Sequence, residues 1–374
     1  METGKNRSDT LLQTMRMAAD PPADAVLAAL VAEGGVAAAN AAMGRFSRED
    51  ASLEDGAPPV LAAFISERGV LPAWADAGKI RRAQLLFTAQ GPDFGLVLMA
   101  ESLPSLYAGG YGGSQTLFST GQLTGHFRRR ASQTLRFILD IMEPGKLEPG
   151  GKGIASILKV RLMHAAIRHY IRQSGIWTGK TEAWGEPINQ VELAGTMLSF
   201  SSVALEGLRK LGLEVSPGDQ ECYLHAWRVI AIVLGIREEL LPADMAEARD
   251  LWRRIAETQF TASAEGRELA RDHLAFLEEL MPGKLLDGFP PTLMYYLMGR
   301  KLAGQQLGLP GPGWTYFLIL LLRRLIRLEG RIFLSSATLR RIASEAGRQL
   351  MESLYRNWNG GDGSPFRIPD SLRT

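Results

Sequence analysis

One helical stripe constrains this chain more than any other feature. Residues from about Ile154 to Gln173 carry an unbroken helical pattern. At roughly 100° per residue, Ile157, Val160, His164, Ile167 and Ile171 share one face, which has to point into a core. Arg161 and Arg168 lie on one flank of His164, with Val160 and Ile167 on the other. Such a stripe cannot close on apolar neighbours alone, because a buried guanidinium must find an anion. The fold therefore has to wrap other elements around this helix and supply, or bind, a partner for each polar group. A haem meets both needs: its iron takes the imidazole and its propionates take guanidinium groups.

A second helical stripe precedes it, with Arg130, Thr134, Phe137 and Ile141 on one face. The connection between the two helices, Glu143 to Gly153, is rich in Pro and Gly, and the pair is expected to fold back as a hairpin. In an antiparallel pair, residues equidistant from the midpoint at residue 148 lie level. His164 then faces about Ser132, between Arg130 and Thr134, so chain geometry alone brings the two polar sets together.

The pattern Arg161-x-x-His164-x-x-x-Arg168, preceded by Arg130-x-x-x-Thr134, resembles the surroundings of the axial histidine in the latex-clearing-protein and MpaB-type haem b oxygenases. Other stretches resemble that family in the same order: Gly109 to Gly113 before Thr120 to Leu123, Tyr223 to Arg228, and Pro291 to Tyr296. The resemblance covers roughly residues 15 to 325. It implies an all-α, multi-helix fold with a globin-like core, haem b iron held by His164, and propionates near Arg161, Arg168 and Arg130. It further implies Arg130 and Thr134 beside the reacting site, and O2-dependent attack on an apolar, isoprenoid-like or alkenyl substrate. A departure matters here. Rubber-cleaving relatives carry a lysine just before the motif threonine, a distal ligand that works with an upstream glutamate. In this chain those positions are Gln133 and Ser114, with no acidic residue from Ala108 to Gln122. A glutamine amide is a poor iron donor and no strong base, so the resting iron is expected to keep an open or water-filled sixth position.

His225, beside Trp227 and Arg228 on an apolar helix, is the rival ligand or a hydrogen-bonding neighbour of the cofactor. His169 points roughly 140° away from His164 on the same helix and cannot share its metal. His126 and His273 have polar neighbours in sequence and are expected to be solvated. The single cysteine, Cys222, excludes an internal disulfide framework and any Cys-rich cluster. No phosphate loop, nucleophile elbow or His-Glu-x-x-His motif is present.

The rest of the chain reads as helices. Leu11 to Met43 is Ala-rich and restarts at Asp20-Pro21-Pro22-Ala23-Asp24, with proline in a first turn. Helices are expected over Leu61 to Arg68, Ala77 to Thr88, Pro92 to Leu106 and Pro187 to Leu211. They are expected again from a cap at Ser216 to Gly235, over Asp244 to Thr261 and Ala264 to Leu280, and from Pro290 to Gly304 or Gly308. Thr315 to Arg327 and Ser336 to Trp358 are the last. No alternating strand pattern competes, so the fold class is all-α. The domain reading is a loose terminus over 1–14, one helical domain over 15–358 and a mobile tail over 359–374.

The 374 residues, 46% hydrophobic and 22% charged, suit a large globular core. A net charge of +2 excludes the basic field of a nucleic-acid binder. The polar start from Met1 to Asn6 leads into no apolar leader, which points to a cytoplasmic protein and away from an extracellular polymer as substrate. The most apolar run, Trp314 to Leu322, is shorter than the ~20 residues a bilayer requires. It suits a buried helix, or a basic helix in peripheral contact with a membrane. Outside the oxygenase reading stand a non-catalytic haem- or lipid-binding protein and a helical scaffold without cofactor.

Overall fold

The computed structural model describes residues 2–46, 57–119, 127–281 and 288–335, with a few positions between 345 and 356. All are helix or connection; the only β pairing among them is one isolated bridge between Gly109 and Thr261. The chain opens with α1 (Glu2–Arg16) and α2 (Pro21–Phe46), separated by a short break at 17–20. The terminus expected to be loose is thus helical, and Leu12 and Met15 anchor it in the core. Residues 9–42 are long and apolar enough to cross a membrane by length and composition alone. The break falls inside that stretch, however, and buries Asp20 against Arg161. α3 (Pro59–Arg68) ends at Gly69, and α4 (Ala77–Ala89) starts where the Asp76 carboxylate accepts from the Lys79 N–H at 3.0 Å.

The apolar stretch that follows is α5 (Gly91–Val97), a π-helical turn over Leu98–Ser102 and α6 (Leu103–Leu106). The glycine run then turns the chain into α7 (Gly113–Ser119). Gly112 has φ +117°, and a Cβ there would collide with the Trp184 carbonyl, so the run is a tight turn pressed against another backbone. α8 (Phe127–Met142) and α9 (Lys152–Gln173) form the expected hairpin. After α10 (Thr181–Trp184), Asn189 caps α11 (Gln190–Leu198), which continues through a π-helical turn at Ser199–Val203 into α12 (Ala204–Leu211). α13 (Pro217–Leu234) begins at its Ser216 cap and stops at Gly235 in the left-handed region, as the sequence implied. α14 (Met245–Gln259), α15 (Ala264–Glu279), α16 (Phe289–Gly299) with a π-helical extension to Gln306, and α17 (Tyr316–Ser335) complete the described chain.

One contiguous apolar core runs from Leu12 to Ile326. At its centre α9 packs against α2, α8 and α13. That arrangement surrounds the His164 helix on three sides and positions the site. The helix expected over Ser336 to Trp358 and the tail after it fall almost wholly outside the described residues.

Candidate functional site

The hairpin has the register that its sequence implied. Ser156 on α9 donates to the Asp140 carboxylate on α8 at 2.6 Å. These two residues are equidistant from residue 148. Continuing that register one helical stretch further brings His164 level with Ser132, between Arg130 and Thr134. Their electrostatics agree: the cations of Arg168 and Arg130 both act on His164. Burial, then those two charges, drive the His164 imidazole down to about 3, so the ring is neutral at any physiological pH. A neutral imidazole is the form that ligates a metal.

The His164 side chain makes no hydrogen bond among the described residues, and it remains partly accessible although it lies deep in the fold. Neither ring nitrogen has a carbonyl or carboxylate partner among the described residues. Arg130 behaves alike. It is deep and partly accessible, burial pulls its pKa down, and no described carboxylate pairs with it. Thr134, one turn further along α8, is likewise half-buried, and its hydroxyl has no hydrogen bond among the described residues. The Gln133 side-chain oxygen is buried without a partner. A deep imidazole and a deep cation, both without protein partners, fit a group that brings a metal and an anion of its own.

Arg161 and Arg168 require a correction. Both were expected to hold propionates, and both already hold carboxylates of the chain. Arg161 Nε and Nη2 donate to the Asp20 oxygens at 2.6 and 2.8 Å, and Nη1 donates to the Val233 carbonyl at 3.0 Å. Arg168 is fully buried; its Nε donates to Asp24 at 2.7 Å and its Nη1 to the Ile188 carbonyl at 3.4 Å. The break before α2 thus supplies Asp20, and the first turn of α2 supplies Asp24. The physical need was legible in the sequence, but the accepting carboxylates are 141 and 144 residues away.

His225 is corrected as well. Its Nε2 accepts from the Asp76 backbone N–H at 2.9 Å, and its ring meets Trp74 edge-on. It fastens α13 to the start of α4. His273, expected to be solvated, is fully buried against Phe127, with Nδ1 bonded to the Tyr107 hydroxyl at 3.1 Å. Its ring is held neutral, down to about 3, by burial, and its Nε2 is unpartnered. The Arg130 charge reaches Tyr107, so this pair borders the same polar region. His126 falls outside the described residues.

Two features carried no sequence signal. Trp177 and Trp184 meet edge-on at 4.9 Å and pack with Ile167, Ile171 and Met163, walling the flank of α9 beside His164. Glu192 stands against Gly112 and Gly113, with one carboxylate oxygen buried and unpartnered. Burial pushes its carboxyl up to about 8, so it carries a proton at neutral pH. Its position three residues after the Asn189 cap marks it as a helix-start residue and hides any other part it plays. Ser114, at the position of the relatives' glutamate, is committed to the Ser263 hydroxyl at 3.0 Å. A half-open cleft of about 290 Å³ lies between α2 and α9, lined by Asp24, Ala165, His169 and Arg172. His164 does not line it.

Fold and site together define an all-α protein built around a deep, neutral imidazole and, on the same helical hairpin, an arginine that pairs with no carboxylate among the described residues. Residues 93–329 match the family model described as ER-bound oxygenase mpaB/B′/rubber oxygenase, catalytic domain, and the chain belongs to that family of oxygenases. It is 29% identical over 296 residues to the rubber oxygenase of Streptomyces sp., covering 78% of this chain and 70% of that protein. The structure of latex clearing protein in its closed state superposes with a TM-score of 0.75 at 25% identity, over 90% of this chain and 91% of that one.

Proposed function

We propose that this chain is a haem b-dependent oxygenase that uses O2 on an apolar, isoprenoid-like or alkenyl substrate, with His164 as the proximal iron ligand. The observation that carries the reading is His164 itself: deep, neutral, without a side-chain partner among the described residues, and close in register to Arg130, whose charge acts on it. The family's oxygenase activity and the rubber oxygenase relative support the reaction class and the apolar substrate. A lone neutral imidazole suits an iron that a macrocycle already holds.

When bound, the haem supplies O2 binding and activation at its iron. The chain's residues do the rest. His164 offers a neutral ring nitrogen. Arg130 supplies a cation for a propionate, with Thr134 one turn further along. Arg161 and Arg168, each tied to an aspartate, stiffen α9, while burial and the charges of Arg168 and Arg130 keep the His164 imidazole uncharged. Ile167, Trp177 and Trp184 exclude water from the flank of the site. Gln133 and Ser114 cannot draw a proton from substrate, so any proton transfer has to use another group. That loss is the one observation that favours a second reading, a non-catalytic binder of haem or lipid.

The test is reconstitution of the full chain with haemin. The wild type is expected to develop a Soret band and His164→Ala to lose it, whereas His225→Ala keeps it. A normal spectrum in His164→Ala refutes the ligand assignment. Oxygen consumption over a panel of apolar alkenes then separates oxygenase from binder.

A further inference from the structure

α17 is where the fold leaves a large apolar surface uncovered. Its inner face is ordinary: Ile319 and Ile326 are 0% and 3% exposed. On the outer face Phe317 is 76% exposed and Leu321, Leu325 and Leu328 each more than half. At 100° per residue these four span only about 80° of the helix surface. Leu320 extends the patch on one side, and Trp314 stands exposed where the chain enters the helix. Of the thirteen large apolar side chains exposed among the described residues, seven lie between 314 and 328. Scattered exposed leucines need no explanation, but a contiguous set on one helix does.

Charge indicates what covers it. Arg324 and Arg327 are exposed along the same edge of α17, and no described carboxylate pairs with either. From Gly311 to Leu328 the sequence contains no Asp or Glu. We propose that this face docks the protein onto an anionic lipid surface, with α17 lying in the plane of the interface. Phe317, Leu321, Leu325 and Leu328 enter the acyl boundary, while Arg324 and Arg327 extend along its edge to headgroup phosphates. Trp314 and Tyr316, each with an apolar ring and one polar atom, suit the boundary itself. A second copy of the chain fits less well. A two-fold contact through this face would bring Arg324 and Arg327 against their counterparts in a drying interface, with no carboxylate to offset them.

The experiment is cosedimentation of the full-length protein with vesicles of phosphatidylcholine alone and of phosphatidylcholine with phosphatidylglycerol. The wild type is expected to partition into the anionic vesicles, less into the neutral ones, and less at higher salt. Phe317→Ser/Leu321→Ser should lose binding to both. Arg324→Gln/Arg327→Gln should weaken binding to the anionic vesicles alone, by roughly fivefold per arginine. The substituted positions are solvent-facing, so unchanged thermal unfolding checks that the fold is intact. Quenching of Trp314 emission by brominated lipid, absent in Trp314→Phe, reports depth without altering the apolar face. Three results overturn the proposal: wild-type protein that stays with the supernatant, binding unaltered in both double variants, or a dimer that Leu321→Ser dissociates.

Discussion

Asp20→Asn offers the sharpest test of how the site helix is held. The Arg161 guanidinium is 7% exposed and its carboxylate partner 4%. It has three acceptor contacts, two on Asp20 and one on the Val233 carbonyl, and lies 5.4 Å over the Phe64 ring. Asp20→Asn keeps an amide oxygen as acceptor but removes the counter-charge, leaving a buried cation with neutral acceptors only. A pair about 4 Å apart interacts by roughly 4 kcal/mol at an effective dielectric of 20. Breaking a buried pair from one side costs about 3–5 kcal/mol. Asp20→Asn is therefore expected to lower unfolding stability by about 4 kcal/mol, a large part of the roughly 5–15 kcal/mol that holds a domain together. Urea denaturation of the cofactor-free protein, followed by far-ultraviolet circular dichroism, measures it. Asp20→Asn/Arg161→Met removes the orphaned charge and should recover most of the loss. Haemin titration of the same variants supplies the contrary outcome. If Asp20→Asn leaves the urea midpoint unchanged while Arg161→Met lowers haemin affinity, the anion of Arg161 belongs to the cofactor and the pairing argument fails.

The other predictions concern protons and the open coordination position. The buried His273 has a folded pKa near 3 against 6.5 in the unfolded chain. Because the unfolded state binds the extra proton, stability is full above pH 6.5 and falls as pH drops towards 3, by at most about 5 kcal/mol from this group. His273→Gln, which keeps a partner for Tyr107, should flatten that slope, and an unchanged slope would contradict the assignment. Since the Gln133 amide is a poor iron donor, resting ferric protein reconstituted with haemin should take up cyanide and imidazole quickly, and Gln133→Lys should slow both. A low-spin spectrum with two nitrogen ligands in the wild type would refute the open position.

The sequence by itself determined the helical class and much of the site's framework. Periodicity of apolar residues, caps such as Ser216 and stops such as Gly69 and Gly235 are local signals, set by contacts three or four residues apart. The register of α8 against α9 was legible too, since a short connection leaves little freedom, and the Ser156–Asp140 bond lies where symmetry about residue 148 puts it. Partners across the fold were not legible. Arg161 and Arg168 announced a need for anions, yet only helix packing decided that Asp20 and Asp24 would meet it. His225 took the Asp76 N–H across 149 residues, and His273 took Tyr107 across 166. Polar neighbours in sequence made His273 look solvated, while its own side of α15 faces Phe127 and the core. The same holds for α17: its apolar run is plain in the sequence, but only the tertiary structure turned half of it outward. Local periodicity tells which residues want burial, whereas the pairing of distant helices decides which get it and what they meet there.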